Sequence, residues 1–421
     1  MLSRLLSALS VAVLAAACSD PGTNPGTGGT TAAGTGGGGG TAAGSGGSSA
    51  GANPTGGGGN GGAGMSGGGG AGGSGGMSGA GGSGGAPVFD PMPTKLSETG
   101  LFTDMANQVL APGVYEFEPT YTLWSDGAVK KRWVYMPPGG KIQTDSIGRG
   151  MEYWQYPKGF KLWKEFRRDD KLIETRLLLK TDDGIASWYM VAFKWNDDHT
   201  EALAIPDGEM NAMGTMHDVP SSKQCKDCHG TMYDNALGFT AMQLSHDPPA
   251  DKPNSMTLAK AVELGWFNVA PPAAGFKLPG TEVEQKALGY LHANCGMCHN
   301  PLSTVYTAKA SLDLWTRLDQ IQTIQQTRAY LSLVCDQWPG PGGKSSPIGA
   351  CDAGHATGAP MELKDLGVEK RVLPKNVDMS GIYHLANSRV ATGGMNQMPP
   401  LGTEITDPTG LKQITDWING L

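Results

Sequence analysis

The sequence predicts a multidomain protein. A disordered, glycine-rich linker precedes an all-β domain, either a sandwich or a jelly-roll, and a mainly α-helical region follows. Three observations predict this architecture. Of the 65 glycines, 34 lie between Gly22 and Gly85. Positions 114–205 hold short runs of β-branched and aromatic residues separated by turn residues. Apolar residues at helical spacing appear only later in the chain, chiefly around position 290 and at the C-terminus.

Residues 1–17 have the pattern of an export signal. Arg4 is followed by an apolar run with many small residues, which is too short and too early to be a structural helix. The segment Leu14-Ala15-Ala16-Ala17-Cys18 resembles the lipobox of bacterial lipoproteins, so Cys18 is the predicted lipidation site. The alternative is an ordinary cleaved signal with an incidental cysteine. Ser19 after the cysteine hints at the outer membrane, facing the periplasm or the cell surface.

Residues 18–87 form the predicted linker, which carries almost no charge and no aromatic side chain before Pro87. Such a segment buries too little apolar surface to offset the entropy of ordering. About 335 residues remain, enough for two or three domains. They hold all ten tryptophans and the net charge of -7, which argues against non-specific nucleic-acid binding. No later apolar run reaches about 18 residues, so no transmembrane helix is predicted.

Residues 88–215 are the predicted β domain. The strongest strand patterns cover 114–117, 132–136, 160–166, 173–179 and 187–195. Clusters of Pro, Gly, Asp and Asn at 137–140, 182–184 and 196–198 mark turns between them. Regularly spaced short strands without a long helical pattern favour a sandwich or a jelly-roll. Asp126, Asp169 and Asp170 are interpreted as turn residues.

Four of the seven cysteines form two copies of one motif. These copies are Cys225-Lys226-Asp227-Cys228-His229 and Cys295-Gly296-Met297-Cys298-His299. Cys-x-x-Cys-His is the attachment signature of c-type haem. The two thiols bind the vinyl groups of one porphyrin, and the adjacent imidazole ligates the iron. Two haems c are therefore expected, with His229 and His299 as proximal ligands. A zinc site or a thioredoxin-like redox pair are the alternatives.

Cys335 and Cys351 are the two cysteines left over. In an exported protein such a pair most simply forms a disulfide, here one that closes a loop rich in proline and glycine. The alternative is that both stay reduced and buried.

The second motif has the fuller sequence context, within a domain predicted at 277–421. A helical pattern over 282–293 leads into Cys295, and Asp407-Pro408 marks the start of a C-terminal helix. From residue 290 to the end, the chain resembles a class I cytochrome c domain. The resemblance implies Met398 as the distal iron ligand, with Met395 as its competitor. His299 and Met398 are 99 positions apart, which suggests an insertion on that frame.

The first motif lies in a shorter predicted segment, 216–276, whose haem is expected to share walls with neighbouring domains. Its sixth ligand is left open among six residues of nearby sequence. His217 and His246 are expected at the surface more than at the iron. The six candidates are Met213, Met216, His217, Met232, Met242 and His246.

A wider resemblance covers about 330 residues. The phrases Leu123-Trp124-Ser125-Asp126-Gly127-Ala128, Lys131-Arg132-Trp133, Glu174-Thr175-Arg176-Leu177, Lys194-Trp195-Asn196 and 289–301 resemble a family of bacterial di-haem c-type cytochromes. This resemblance implies an exported electron-transfer protein. Together with the lipobox and the acidic net charge, it predicts a lipid-anchored electron carrier that meets a redox partner protein at the membrane and binds no nucleic acid. The alternative is a di-haem, peroxidase-like enzyme with an open coordination position at the first haem.

Overall fold

The computed structural model describes residues 91–144, 150–303, 312–335, 368, 370–389, 397–400 and 402–421. The predicted signal peptide, Cys18 and the glycine-rich linker lie outside these residues, as do Cys351 and Met395. The described residues all belong to one unit, Gly79–Leu421. Among them, every helix is too short or too polar to span a membrane.

Six antiparallel strands form a single sheet in which each strand pairs with the next one in the chain. The strands are β3 (Val114–Glu116), β4 (Val129–Tyr135), β5 (Lys161–Arg168), β6 (Lys171–Lys180), β7 (Trp188–Trp195) and β8 (Ala202–Ala204). A separate two-stranded ribbon precedes them, made of β1 (Phe102–Asp104) and β2 (Val109–Leu110). The β-rich character predicted for 114–205 is thus confirmed. Asp169 and Asp170 take left-handed backbone conformations in the tight β5–β6 turn, as predicted.

Successive side chains along each strand point to opposite faces of the sheet, and both faces are buried. One face is covered by residues 96–102 and presents Trp133, Trp163, Leu177 and Val191, which lie directly opposite one another across four strands. The other face presents Val134, Leu162, Leu178 and Met190 to a core that contains Phe239, Leu291 and Trp417. The sheet is therefore a central layer between two apolar clusters.

The predicted sandwich or jelly-roll differs from this arrangement. A sandwich needs a second large sheet against the inner face. In the described residues, that face instead meets helices and loops that come after Cys225. The strand pattern shows that a face is buried but does not show what buries it, which explains the difference. A single apolar core contains residues of the sheet and of both segments predicted to carry haem.

Six α-helices follow the sheet in the described residues. They are α1 (Ser222–His229), α2 (Leu258–Glu263), α3 (Glu282–Asn294), α4 (Arg328–Leu333), α5 (Gly381–Asn387) and α6 (Pro408–Gly420). Thr281 and Glu284 form a capping box that begins α3. Asp407 caps α6 and Pro408 occupies its first turn. The helices predicted from residue 282 and residue 408 are confirmed.

Helices α3 and α6 cross in close contact. A Cβ atom at Gly410 of α6 would lie 2.1 Å from the ring of Tyr290 in α3, so only glycine fits this crossing. Ile414, Trp417 and Ile418 of α6 and Leu291 of α3 are buried in the shared core. The resemblance of this region to a class I cytochrome c domain extends beyond these two helices and stays a prediction.

The loop before β4 ties the sheet to these helices. The backbone N–H of Trp124 donates to Asn294 Oδ1 at the end of α3 (2.7 Å), and its indole N–H donates to the carbonyl of Ile405 (3.1 Å). Asp126 has a positive φ of 50°, as expected of a turn residue. Its carboxylate also accepts from the backbone N–H groups of Glu404 (2.9 Å) and Ile405 (3.1 Å). The predicted turn residue thus also clamps the segment that leads into α6.

Candidate functional site

Helix α1 carries the whole first Cys-x-x-Cys-His motif. Ser221 begins the helix by accepting from the backbone N–H of Gln224, whose side chain bonds back to Ser221. Cys225 and Cys228 are three positions apart and therefore share one face of the helix. His229 is the last helical residue. The sequence pattern did not predict this helix, since its residues are almost all polar.

The imidazole of His229 is held in one orientation. Its Nδ1 lies 2.6 Å from the carbonyl oxygen of Asn235, so Nδ1 carries the proton and donates it. The lone pair of Nε2 is then available to a metal, which is the arrangement found in most histidine ligands. Burial lowers the pKa of His229 to about 4. The ring is consequently neutral at physiological pH, as a ligand must be.

A buried carboxylate fixes the loop that orients His229. Asp234, next to Asn235, forms a fully buried ion pair with Lys180 at the end of β6. It also accepts from the backbone N–H of Tyr156 (2.8 Å), the backbone N–H of Ala186 (3.0 Å) and the indole N–H of Trp188 (3.0 Å). With four donors, the carboxylate is well satisfied. The sheet therefore positions the carbonyl that holds the predicted proximal ligand.

The second motif follows α3 directly. Cys295 is the C-cap residue of α3, and the N–H of His299 donates to its carbonyl at 2.9 Å. The carbonyl of His299 accepts from the N–H of Leu314 at 2.8 Å, and the His299 residue is buried. Gly296 is needed here because a Cβ atom would lie 2.8 Å from the carbonyl oxygen of His292.

The two motifs lie against each other. Asn300, next to His299, is buried, and its amide donates within its own motif to the carbonyls of Gly296 (3.0 Å) and Met297 (2.8 Å). The same amide reaches the carbonyl of Thr231 at 3.4 Å, two residues beyond His229. Motifs separated by 70 positions in sequence thus meet in the fold.

The four motif cysteines are free thiols. Burial raises the pKa of each of them, that of Cys295 to about 12, so all four are protonated at neutral pH. Burial and the nearby Cys228 both raise the pKa of Cys298, which again places the motifs together. Within the described ranges, no group of three or more His, Cys, Asp or Glu residues could hold a metal ion. A zinc site would require such a group.

Met398 lies on the loop before α6. Its backbone N–H donates to the carbonyl of Leu385 in α5 at 2.8 Å, and Arg389 Nη1 lies 3.4 Å from its carbonyl oxygen. The Met398 side chain is half-buried. Its role as the distal ligand opposite His299 stays a prediction, and its competitor Met395 lies outside the described residues.

Contacts reduce the six candidates for the sixth ligand of the first haem. His217 is buried rather than exposed, and its Nε2 lies 2.7 Å from Glu174 Oε1, so the surface prediction for this residue is wrong. Both ring nitrogens of the half-buried His246 bond to carbonyl oxygens, and Met216 is 49% exposed. Met213 packs against the small cluster around Ile173. Met232 and Met242, both buried, remain.

A small cavity lies between the sheet and α3. Arg132 of β4, Lys164 of β5 and His292 of α3 are its ionisable basic lining residues, and Met297 of the second motif also lines it. Leu237 and Gly238, which follow the loop that orients His229, complete this part of the wall.

Sequence reasoning missed the residues that support the motifs. Asp234, Asn300, Arg132, Lys164 and His292 were not singled out as site residues. One signal was present for two of them. Arg132 and Lys164 are charged residues at inward positions of strands whose neighbours Val134 and Leu162 face the core. The predicted disulfide stays a prediction, since Cys335 is not among the free thiols and Cys351 lies outside the described residues.

No protein-family model, curated protein or solved structure matches this chain. Its function is therefore argued from its own residues.

Proposed function

We propose that this chain is a di-haem c-type cytochrome that carries electrons between redox partners in the cell envelope. The observation that supports this most is the hydrogen bond between Asn300 and Thr231, which follow the two Cys-x-x-Cys-His motifs by one and two positions. Two haems attached to motifs in contact would lie close together. Electrons could then pass from one to the other before leaving to a partner protein.

The residues present fit two haems c. Cys225 and Cys228 would hold the first haem and Cys295 and Cys298 the second, through thioethers formed from thiols that are free and protonated. His229 and His299 would be the proximal ligands and Met398 the distal ligand of the second haem. The haem iron supplies the one-electron redox chemistry, while the protein supplies ligation, burial and orientation.

The peroxidase-like alternative needs a base beside an open iron position, which takes a proton from peroxide. His292 is the histidine that lines the cavity, but its Nδ1 accepts from the backbone N–H of Thr316 (3.1 Å). Its proton is therefore on Nε2, and burial lowers the pKa of the ring to about 3. Arg132 is likewise a donor, and no Asp or Glu is among the described residues that line the cavity, so the electron carrier is favoured.

Export and anchoring complete the proposal. Haem is attached to Cys-x-x-Cys-His motifs after export, and the N-terminal pattern predicts export together with lipidation at Cys18. An acylated chain with a glycine-rich linker would hold the folded part near the membrane, where it could reach a redox partner protein.

Counting haem per chain tests the proposal. The full chain would be produced in a periplasm that matures cytochromes c, denatured, and measured by haem absorbance and intact mass. We expect two covalent haems in the wild type, and one each in Cys225→Ser/Cys228→Ser and Cys295→Ser/Cys298→Ser. Cys18→Ser, a cysteine change outside the motifs, should keep two. A wild-type chain without covalent haem would refute the proposal.

A further inference from the structure

We propose that Arg132, Lys164 and His292 form a carboxylate-binding site that takes the propionates of the haem attached at the first motif. This inference rests on the proposed function, and it assigns a role to the β-sheet that the motifs alone do not give. The sheet would provide the positive charges that balance the negative groups of the cofactor.

The first observation is a row of cations on the inner face of the sheet. Arg132, Lys164 and Arg176 lie directly opposite one another on β4, β5 and β6. They continue the face formed by Val134 and Leu162, which is packed in the core. Like charges opposite each other in a sheet are destabilising, and more so away from water. Such a row calls for a counter-charge.

The acidic side chains closest to this row already have partners. Glu174 pairs with Arg176 (2.5 Å) and with His217 (2.7 Å). Glu118 pairs with Lys252 at 2.9 Å. Arg176 is therefore neutralised within the protein. No side chain of the described residues forms an ion pair with Arg132 or Lys164.

The second observation is a set of buried donors that face the cavity without acceptors. Arg132 is 8% exposed, and its Nη2 has no hydrogen-bond partner among the described residues. His292 is 1% exposed, and its Nε2–H is likewise unpaired there. The indole N–H of Trp315, which stacks on His292 with ring centroids 4.1 Å apart, is a third. A buried donor left unpaired is destabilising, because it has lost its hydrogen bonds to water without a replacement.

The cavity wall is built for an anion. Arg132, Lys164 and His292 all donate, and no Asp or Glu is among the described residues that line it. The Gln243 side-chain oxygen is already used by the N–H of Tyr121 at 2.9 Å. Burial and the neighbouring Arg132 hold the pKa of Lys164 well below its usual value, as expected of a cation that lacks its counter-ion. A planar carboxylate matches the fork of Arg132.

The cavity lies beside both motif regions: Met297 of the second motif lines it, and so does the segment that follows the loop orienting His229. Leu237 and Gly238 line it and follow Asn235, which holds the predicted ligand His229. Arg132, Lys164 and His292 would then be the residues that hold the propionates of a haem attached at the first motif.

The test uses the mature full-length protein and Lys164→Met. Haem is counted first, and the two reduction potentials are then measured by spectroelectrochemistry. Removing a cation near a haem stabilises the oxidised form, so the potential of the first haem should fall while that of the second changes less. The matched control is Lys131→Met, on the neighbouring strand β4 and exposed on the opposite face of the sheet. It should leave both potentials unchanged.

Infrared redox-difference spectra give a readout specific to the carboxylates. With the haem propionates labelled by ¹³C, Lys164→Met should shift the labelled bands and Lys131→Met should not. Potentials and labelled bands that match the control would overturn the proposal while leaving the haem count, and hence the proposed function, intact. A wild-type protein without haem would instead refute both.

Two further experiments address loss of the first haem and binding of a free carboxylate. If Lys164→Met loses the first haem, Lys164→Arg should restore it because the charge is kept; loss in both variants would overturn the proposal. Citrate is the probe for a free carboxylate ligand. A potential that shifts on adding citrate to the wild type, and not to Lys164→Met, would show a free carboxylate as the occupant and would also overturn it.

Discussion

Asp234 is the residue on which the geometry of the first motif depends most. Its carboxylate joins β6, β7 and the loop that holds His229. Removing one partner of a buried ion pair leaves the other charge uncompensated and costs about 3–5 kcal/mol. We therefore expect Asp234→Ala to lower the free energy of unfolding by about that amount, as measured by urea denaturation.

The control for this prediction is Lys180→Met/Asp234→Asn. It removes both charges while the Asn oxygen still accepts hydrogen bonds, so it should lose less stability than Asp234→Ala. A double variant that is as unstable as the single one would contradict the account of the pair.

Asp313 makes stability depend on pH. It is fully buried, with Arg328 Nε 3.6 Å from its carboxylate, and burial raises its pKa to about 7 from an ordinary 3.8. Between these values the folded state holds a proton that the unfolded state has lost. Stability supplied by this group is therefore lost as the pH rises from about 4 to about 7.

The matched variant is Asp313→Asn, which cannot titrate. Relative to this variant, the wild type should lose on the order of 1 kcal/mol for each pH unit within the window. Urea unfolding at pH 5, 6, 7 and 8 measures the difference. A difference between the two proteins that does not change with pH would contradict the prediction.

The role of a single residue is predictable from the sequence in some cases and not in others. The motif residues Cys225, His229, Cys295 and His299 are recognisable because haem attachment demands a fixed local spacing. His217 was misplaced because its partner Glu174 lies 43 positions away and only the folded sheet brings them together. The spacing rule is local, whereas the burial of an ion pair is a property of the tertiary structure.

Among the elements, the crossing of α3 and α6 has the tightest contact. Gly410 of α6 leaves no room for a side chain against Tyr290. Gly410→Ala should force the helices apart and lower stability by about 1–3 kcal/mol, the usual cost of overpacking a core. Gly420→Ala, at the open end of the same helix, has nothing within 4 Å and is the control. Equal thermal midpoints for the two variants would contradict this contact.

The elements also show which signals a sequence carries. Helices α3 and α6 were predictable from their apolar period and, for α6, from Asp407-Pro408, which are local features. Helix α1 was not, because Cys225 is its only buried residue and most of its side chains are polar. Its helical form rests on the Ser221 capping box and on packing against the rest of the fold.

At the scale of the whole molecule, the sheet packs against the region that contains the two motifs and does not form a separate domain. One face buries residues 96–102, and the other shares a core with α3, α6 and the segment after the first motif. The strand pattern in the sequence is equally compatible with a sandwich and with the observed single sheet. Only the tertiary structure shows that helices and loops cover the inner face, which is why the β-rich region was predictable and its architecture was not.

The cationic row links the sheet to the proposed cofactors. Arg132 and Lys164 face the cavity beside the loop that orients His229. On this account, the sheet supplies charge, the loop around Asp234 supplies orientation, and the two motifs supply attachment. These three parts are the ones that the proposed electron carrier would need.

A redox titration followed by visible spectroscopy, on protein matured in a periplasm, tests the central claim most directly. The account predicts two haems per chain, both low-spin in the oxidised and reduced states. It also predicts a methionine-to-iron charge-transfer band that disappears in Met398→Ala. A high-spin component that reacts with peroxide would contradict the carrier and favour the enzyme. Fewer than two haems would show that one of the motifs has been misinterpreted.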